Sequence, residues 1–395
     1  MAKFHITKPQ YTYWEWFTFI GLRVIFPPVL IWDLLKYVGN WLFGEKISKK
    51  VLPAQGFDFS QLGVKAIPDY SVLNTPSLSY QKHTVITHDG AELDTLEITQ
   101  NAQMERPPEQ QKYIISFPGN LECYETKHVE MAKDATELNC HVVGFNYRGV
   151  RESTGSVQSK HDLVTDGIAQ VQRLLDQGVL PKHITLKGFS LGASIATLIT
   201  AHFHQLGMPI NVFNNRSFSS ISDVVIGTIK TEPTESDSIF VTLKKWVVNS
   251  SIKLALALTQ WDIHAGKAMK RIPEKNREYI VVRTPKASRN ESTTDDGIIP
   301  HYASIHMALK EERQAKKALL KDDPIALEKE KDQSKQRKME NTHSEIQPNH
   351  VTPLFHLQNR FGKSADTFFY DFVKSTYEEP GADQPMKPNP KIAWA

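Results

Sequence analysis

The sequence predicts an α/β fold in which a mostly parallel central sheet carries helices on both faces. Between residues 113 and 214, short runs rich in β-branched and aromatic residues alternate with longer stretches of helical periodicity. Such alternation is typical of parallel strands joined by crossover helices. The chain has 395 residues, 40% of them hydrophobic, so it can bury a large core.

The N-terminal region departs from this pattern. Residues 11–43 hold four of the seven tryptophans and many aliphatic residues, interrupted by charged residues that include Arg23 and Asp33. The uncharged stretch between those two residues is much shorter than the roughly 20 residues of a transmembrane helix. It contains the pair Pro27-Pro28, which predicts two helices that meet there.

The aromatic and lysine content of residues 11–43 suits a membrane–water interface. We therefore expect this segment either to contact a membrane peripherally or to pack as a helical arm on the body of the protein. A basic segment followed by an apolar segment and a small-residue cleavage site is not found, which argues against a signal peptide. The expected location is cytoplasmic, or outside the cell by a route that does not use a signal peptide, with possible attachment to a membrane surface.

The first strands are predicted downstream of a connecting stretch at 44–80. Period-2 alternation at 82–88 and 92–99, around Asp89-Gly90, predicts a β-hairpin. The later elements are predicted in this order: strand 113–117, helix 126–138, strand 141–145, helix 161–177, strand 183–187, helix 192–206, strand 209–214 and strand 279–283.

These elements divide the chain into five parts. Residues 1–80 form the helical arm and its linker, and 81–218 form the first half of the core. Residues 219–275 are mostly helical and are expected to form a cap inserted before the second half, 276–378. The Pro-rich tail at 379–395 is expected to be disordered.

Charge and cysteine content exclude several functions. The net charge is +3 and basic residues are interleaved with acidic ones, so we expect no nucleic-acid partner. Charge density is highest at 310–340, which has no apolar stripe and is expected to be a solvated helix or mobile insert. Cys123 and Cys140 lack metal-ligand spacing, so we expect packed thiols in a reducing compartment, with no metal site or disulfide framework.

The segment Gly188–Gly192, Gly-Phe-Ser-Leu-Gly, lies between a predicted strand and a predicted helix. A serine at such a turn takes a strained backbone conformation that points its hydroxyl out of the sheet, and only small neighbours tolerate the turn. The positive end of the following helix favours an anion formed on attack. Ser190 is therefore the candidate nucleophile.

Two backbone N–H groups are candidates for an oxyanion hole. One belongs to Leu191, the residue after the nucleophile. The other is expected in the loop Pro118-Gly119-Asn120, directly after the buried strand 113–117, with Asn120 as the donor.

These segments together resemble the α/β-hydrolase superfamily, and within it the ABHD and Bem46-like serine hydrolases. The motifs that carry the resemblance are Pro118–Asn120, Tyr147–Gly155 and Gly188–Gly192, and the match runs from 84 to 206 and more loosely from 279 to 302. The resemblance implies an α/β-hydrolase fold and a catalytic triad. The aromatic N-terminus and the late charged insert also look like SidB-type bacterial (Legionella) effector hydrolases delivered by type IV secretion.

The chain departs from the family pattern at two positions. Pro118 stands where the family often has histidine, and Arg151 stands where a second glycine is common. Neither residue is part of the nucleophile motif.

The acid is expected after strand 279–283, since α/β-hydrolases order their triad as serine, acid and histidine. Asp296 has the offset to Pro300 that the family pattern shows, and the adjacent Asp295 is the alternative. The chemistry requires a buried carboxylate that fixes the imidazole tautomer. The last core strand is expected at 342–346.

Five histidines follow the acid in the sequence. His350 lies in a loop just before a helix-like run, where family members place their base, and it is the preferred candidate. His343 and His356 remain alternatives. His301 and His306 lie too close to the acid to occupy a separate loop.

Two classes of function follow from these residues. The first is a serine esterase or lipase that cleaves a lipid or other acyl substrate through an acyl-enzyme, with thioester and amide bonds left open. Such chemistry requires no metal and no organic cofactor. The second is a catalytically inactive hydrolase-fold protein that binds a membrane or a partner.

Overall fold

A ten-stranded sheet runs through the part of the chain that the computed structural model describes, namely residues 2–7, 27–52, 54–62, 70, 73, 75–232, 234, 236–283, 296–342 and 349–377. Its strands are β1 Ala2–His5, β2 Leu78–Ile86, β3 Glu92–Gln100, β4 Tyr113–Phe117, β5 His141–Phe145, β6 Ile184–Phe189, β7 Asn211–Asn215, β8 Arg277–Arg283, β9 Lys338–Asn341 and β10 Leu357–Asn359.

The strands lie in the order β1-β2-β3-β5-β4-β6-β7-β8-β9-β10. Strand β3 is antiparallel to both of its neighbours and β10 is antiparallel to β9, whereas all the other pairs are parallel. From β2 to β9, this order and these directions are those of the α/β-hydrolase fold. The predicted fold class is therefore confirmed.

Helices connect and cover these strands. They are α1 Pro27–Val51, α2 Asn101–Met104, α3 His128–Leu138, α4 Lys160–Asp176, α5 Leu191–Gln205, α6 Ile221–Thr228, α7 Ile239–Leu258, α8 Ala265–Arg271, α9 Ile305–Ala308, α10 Lys310–Leu319, α11 Pro324–Gln336 and α12 Ala365–Tyr377. Among the helices in the described ranges, none combines the length and the apolar character that crossing a membrane requires.

Both faces of the central strands are buried, as is expected of parallel strands covered by helices on both sides. On one face, Ile115 of β4 belongs to a hydrophobic cluster that includes residues of α4 and α5. On the other face, the neighbouring Ile114 belongs to a second cluster, with residues of α3 and α12. The period-2 alternation of β4 thus places successive side chains in two separate cores.

The hairpin and the central elements agree with the sequence predictions. Strands β2 and β3 pair antiparallel and end with Ile86 opposite Glu92, so the turn contains Asp89-Gly90. The helices and strands predicted between 113 and 214 are present, with ends shifted by a few residues. Strand β1, which pairs in parallel with the end of β2, was not predicted.

The N-terminal arm is longer than the sequence indicated. Helix α1 begins at Pro27, where proline is favoured because the first helical N–H needs no partner. It continues to Val51, so the linker predicted from residue 44 is helical at its start. Residues 11–26, the predicted first helix, lie outside the described residues, as does the tail at 379–395.

Of the two predictions for the charged segment 310–340, a solvated helix or a mobile insert, the structure agrees with the first, since the segment forms α10, which has no buried residue, and α11. Arg313 of α10 donates hydrogen bonds to the Tyr279 hydroxyl at 3.1 Å and to the His306 carbonyl at 2.6 Å. The segment ends in β9, whose Met339 is fully buried opposite Val282 of β8. The last parallel strand that the structure describes lies at 338–341, and the predicted strand at 342–346 lies outside the described residues beyond Thr342.

An ion-pair network that is buried at Arg148 and Asp166 and extends to the exposed Asp89 holds the loop after β5. Arg148 donates through Nε to Asp166 of α4 at 2.8 Å, and through its terminal nitrogens to Asp89 of the hairpin turn at 2.7 and 3.1 Å. Removing one partner of a buried pair costs about 3–5 kcal/mol, because the other charge is left uncompensated. Arg148 therefore ties three segments of the core together.

The Arg151 departure has a conformational explanation. Arg151 has a φ of 49°, in the left-handed region that favours glycine. Its Nε donates to the Glu125 carboxylate at 2.6 Å, in a pair that a glycine could not form. Arg151 therefore occupies a turn that favours glycine and adds an ion pair to it.

This explanation predicts a stability difference between two substitutions. We expect Arg151→Gly to be more stable than Arg151→Ala by about 0.5–1 kcal/mol. A Cβ at positive φ is strained in the folded protein, and the greater conformational entropy of glycine in the unfolded chain offsets only part of the strain that glycine relieves. Both variants lose the Glu125 pair, so the difference isolates the backbone. Denaturant unfolding measures it, and equal stabilities would contradict the left-handed conformation.

Candidate active site

Ser190 occupies the turn between β6 and α5. Its backbone has φ 51° and ψ −116°, outside the favoured regions for a residue with a side chain. The Ser190 N–H donates to the Asn215 carbonyl of β7 at 3.0 Å, so the turn is held from the neighbouring strand. Such strain costs on the order of 1–3 kcal/mol and persists only where the surrounding structure imposes it.

The two glycines of the motif are required for steric reasons. A Cβ on Gly188 would lie 2.6 Å from the backbone nitrogen of Ala193. A Cβ on Gly192 would overlap the carbonyl oxygens of Phe117 and Pro118 at the end of β4. The nucleophile turn is therefore packed directly against the loop that follows β4.

His350 lies beside Ser190, although the two residues are 160 positions apart in the chain. It belongs to the short 3-10 turn Asn349–Val351, and its Nε2 lies 2.8 Å from the Ser190 Oγ. Its Nδ1 lies 2.8 Å from Oδ2 of Asp296. All three side chains are buried, with His350 only 3% exposed.

Asp296 is held by its own loop. Its Oδ1 accepts hydrogen bonds from the backbone N–H groups of Ile298 at 2.9 Å and Ile299 at 2.6 Å. Its carbonyl accepts the His350 N–H at 2.7 Å. Because the carboxylate can only accept from Nδ1, it favours the tautomer whose Nε2 is free to accept the serine proton.

The structure thus brings together Ser190, Asp296 and His350, the three residues that the sequence singled out. Two of the alternatives, Asp295 and His343, lie outside the described residues. His356 lies in another 3-10 turn, where its ring contacts that of Phe355 with centroids 4.2 Å apart.

The two histidines nearest the acid in sequence take part in other contacts. Nδ1 of His306 lies 3.2 Å from the Tyr279 hydroxyl, and its Nε2 lies 3.0 Å from a guanidinium nitrogen of Arg313. His301 lines a cavity of about 20 Å³ together with Asp296. That volume is enough for one water molecule.

The candidate oxyanion donors differ in their surroundings. Leu191 is the first residue of α5, where backbone N–H groups have no partner within the helix. In the loop after β4, the Gly119 N–H donates to the Glu122 carboxylate at 2.8 Å, while the following residue, Asn120, is exposed. The contact between Gly119 and Glu122, which fixes the shape of this loop, was not predicted from the sequence.

Arg216 is a site residue that sequence reasoning missed. It follows β7 and is buried, with a φ of 58°. One terminal nitrogen donates to the carbonyls of Asn349 at 3.1 Å and Thr352 at 2.7 Å, on either side of His350. Burial lowers the pKa of Arg216 to about 10, although the nearby carboxylate of Asp296 opposes this shift.

Phe189 links Arg216 to the imidazole. The guanidinium carbon of Arg216 lies 4.8 Å from the centre of the Phe189 ring, which in turn lies 5.0 Å from that of His350. The ammonium of Lys127 lies 5.5 Å from the same ring. The residue before the nucleophile therefore packs between the base and two cations, as cation–π attraction favours.

Cys123 takes no part in this arrangement. It is fully buried, and burial raises the pKa of its thiol to about 12. Since the thiolate is the reactive form, this thiol is unreactive at neutral pH, in agreement with the prediction of a packed side chain.

The chain was also compared with known proteins. The model of the family described as Chlamydia CHLPS protein (DUF818) matches residues 5–349. The comparison with curated proteins gave no match.

Several solved structures are similar to this chain at low identity. An α/β-hydrolase of Vibrio vulnificus is 18% identical, with 64% of this chain and 76% of that one covered and a TM-score of 0.37. An esterase of Pyrococcus furiosus is 16% identical, with 61% and 81% covered and a TM-score of 0.40. An esterase/lipase from an uncultured bacterium is 12% identical, with 86% and 98% covered and a TM-score of 0.41. At these values the likenesses say nothing about the activity or substrate of this chain.

The contacts of Arg216 predict how its loss affects the reactivity of Ser190. We expect Arg216→Met to react with a fluorophosphonate between about tenfold and a hundredfold more slowly, because the His350 loop loses its two hydrogen bonds and the imidazole shifts. Arg216→Lys keeps the positive charge and a hydrogen-bond donor, so its labelling rate should lie between those of the unaltered protein and Arg216→Met. The rate constant of labelling is measured beside the melting temperature. If the melting temperature of Arg216→Met falls while its labelling rate is unchanged, Arg216 stabilises the fold without positioning His350.

Proposed function

The chain belongs to the family described as Chlamydia CHLPS protein (DUF818), and from the geometry around Ser190 we propose that it is a serine hydrolase that cleaves an ester bond of a lipid or other acyl substrate. The observation that carries the proposal is the buried chain of two 2.8 Å contacts, from Ser190 to His350 and from His350 to Asp296. An imidazole so held can take the serine proton as the hydroxyl attacks.

The proposed reaction proceeds in two steps. Ser190 Oγ bonds to the carbonyl carbon of the substrate while its proton passes to Nε2 of His350, and the N–H groups of Leu191 and Asn120 stabilise the oxyanion. As the bond to the leaving alcohol breaks, His350 returns the proton to the alcohol oxygen. Water then attacks the acyl-enzyme with His350 again as base, releasing the carboxylic acid and restoring the serine hydroxyl.

An apolar N-terminal helix supports a lipid substrate. Helix α1 carries large exposed apolar side chains, including Leu34 and Trp41, which suit contact with a membrane through residues 11–43. Thioester or amide cleavage would use the same groups. The narrower resemblances to ABHD and Bem46-like hydrolases and to secreted effectors, and the location in the cell, remain predictions from the sequence.

The second candidate function is a catalytically inactive protein that uses the fold for binding. The exposed apolar surface would suit such a role. Two observations favour catalysis instead. Ser190 keeps a strained backbone, and His350 and Asp296 are buried beside it in the orientation that proton transfer requires.

Replacement of the nucleophile tests the proposal directly. We expect Ser190→Ala to abolish fluorophosphonate labelling and to lower p-nitrophenyl ester turnover by at least about 10⁴-fold, because the attacking oxygen is lost. Ser194→Ala, at a buried serine one turn further along α5, is the matched control and should keep both activities. Turnover and labelling that persist in Ser190→Ala would refute the hydrolase proposal.

The second oxyanion donor can be tested at Asn120, because proline lacks the backbone N–H that alanine keeps. We expect Asn120→Ala to retain most of the ester turnover and Asn120→Pro to lose about 10²–10³-fold in kcat. Circular dichroism of both variants controls for folding. If the two variants, both folded, show equal kcat values, the second donor is not the Asn120 N–H.

A further inference from the structure

The structure places two apolar helices side by side on the surface. Helix α7, from the insertion between β7 and β8, packs against α1 at Gly39, where an added Cβ would lie 2.9 Å from the Leu258 carbonyl oxygen. We call their exposed apolar side chains the two-helix face. Its members are Leu30, Ile31, Trp32, Leu34, Leu35, Tyr37, Val38, Trp41, Leu42 and Phe43 of α1, and Ile239, Phe240, Val241, Leu243, Trp246, Val247 and Leu254 of α7.

These side chains are exposed to a degree that is unusual for a folded protein in water. Phe240 is 81% exposed, Trp41 is 76% exposed and Trp246 is 64% exposed. Scattered apolar residues on a surface are normal, but this many large ones on two helices that touch each other mark a contact with another phase or molecule.

The inner side of α7 is anchored, so the direction of the exposed side is fixed. Asn249 exchanges hydrogen bonds with the side chain and the carbonyl of Thr231 at 2.8 and 2.9 Å. Leu256 is buried in the same hydrophobic cluster as Leu191, the residue after the nucleophile. The two-helix face therefore belongs to a helix that is packed on the catalytic domain.

We infer that the two-helix face lies in the interfacial layer of a lipid bilayer that contains anionic lipids, with α1 and α7 parallel to the membrane surface. The inference goes beyond the proposed membrane contact of residues 11–43, because it assigns half of the surface to α7. It does not require the proposed hydrolysis.

The distribution of the apolar side chains favours a fluid partner. On α1 the exposed members occupy consecutive positions, as in Leu34-Leu35 and Leu42-Phe43, and so point around much of that helix, whereas most of those on α7 lie along one side. Packing against another helix needs only a narrow stripe repeated every three or four residues. Acyl chains can surround a broad apolar surface without such a register.

The aromatic residues and charges favour the interfacial layer of an anionic membrane. Trp and Tyr prefer the boundary between lipid and water, and the two-helix face contains three tryptophans and Tyr37. Helix α7 has three lysines and no acidic residue, although Lys245 pairs with Asp237. Helix α1 has four lysines against Asp33 and Glu45. This excess of lysine attracts anionic headgroups.

Vesicle flotation tests the inference with a matched pair of double variants. Both are made in the full chain with Ser190→Ala, so that lipid is not consumed. Ile239→Glu with Leu243→Glu places two carboxylates on the two-helix face. The control, Ile325→Glu with Leu319→Glu, places two carboxylates on α11 and α10, at an isoleucine and a leucine that are more exposed than those of α7. A third variant, Trp41→Glu, tests α1.

The vesicles are phosphatidylcholine alone, or equal parts of phosphatidylcholine and phosphatidylserine. We expect the parent to float with the mixed vesicles and to bind them more tightly than phosphatidylcholine. The α7 double variant and Trp41→Glu should each bind at least about tenfold more weakly, because a charge resists transfer to the interface. The α10–α11 double variant should bind as the parent does.

Three results would overturn the inference. The parent does not float with either vesicle, the α7 double variant floats as well as the parent, or sedimentation shows a dimer of the parent that only the α7 variant dissociates. The last result would assign the face to a second copy of the chain. Turnover of a soluble ester is measured separately, without vesicles and with Ser190 restored. Absence of turnover would refute the hydrolase proposal but would leave flotation unchanged, so the two failures can be told apart.

Discussion

The hydrogen bond between Ser190 and His350 joins two segments separated by 160 residues, and much of the structure serves to hold its two atoms 2.8 Å apart. On the serine side, the strained turn fits only because Gly188 and Gly192 have no Cβ. On the histidine side, Asp296 bonds both the imidazole and the backbone of His350. Arg216 completes the arrangement by bonding the carbonyls on either side of the base, so the imidazole is held through its ring and through its loop.

The central sheet and the three site residues could be predicted because their signals are local. Strands β4 and β5 are short runs rich in apolar residues, each followed by a helix pattern, and the Gly188–Gly192 motif carries its steric requirement within five residues. Asp296 and His350 were preferred because of the resemblance to the α/β-hydrolases, and the geometry places both beside Ser190. The roles of these residues in catalysis remain a proposal.

The features that the sequence did not reveal depend on contacts between distant segments. Strand β9 has a single apolar residue, Met339, and is a strand because it pairs between β8 and β10. The hydrogen bonds of Arg216 reach residues more than a hundred positions away in the chain, so no local sequence pattern predicts them. Similarly, α7 has the composition of a buried cap helix, and only the exposure of its side chains in the folded structure shows that most of the large apolar ones face outward.

The order of Ser190, Asp296 and His350 along the chain has a consequence for the protein during its synthesis. During synthesis Ser190 leaves the ribosome early, while the imidazole that would activate it follows only after the insertion, the acid loop and the two charged helices. Until the His350 loop forms its hydrogen bonds with Arg216, no imidazole is in place to accept the proton of the Ser190 hydroxyl. If the proposed chemistry holds, a nascent or prematurely terminated chain is harmless to the lipids of the cell that makes it.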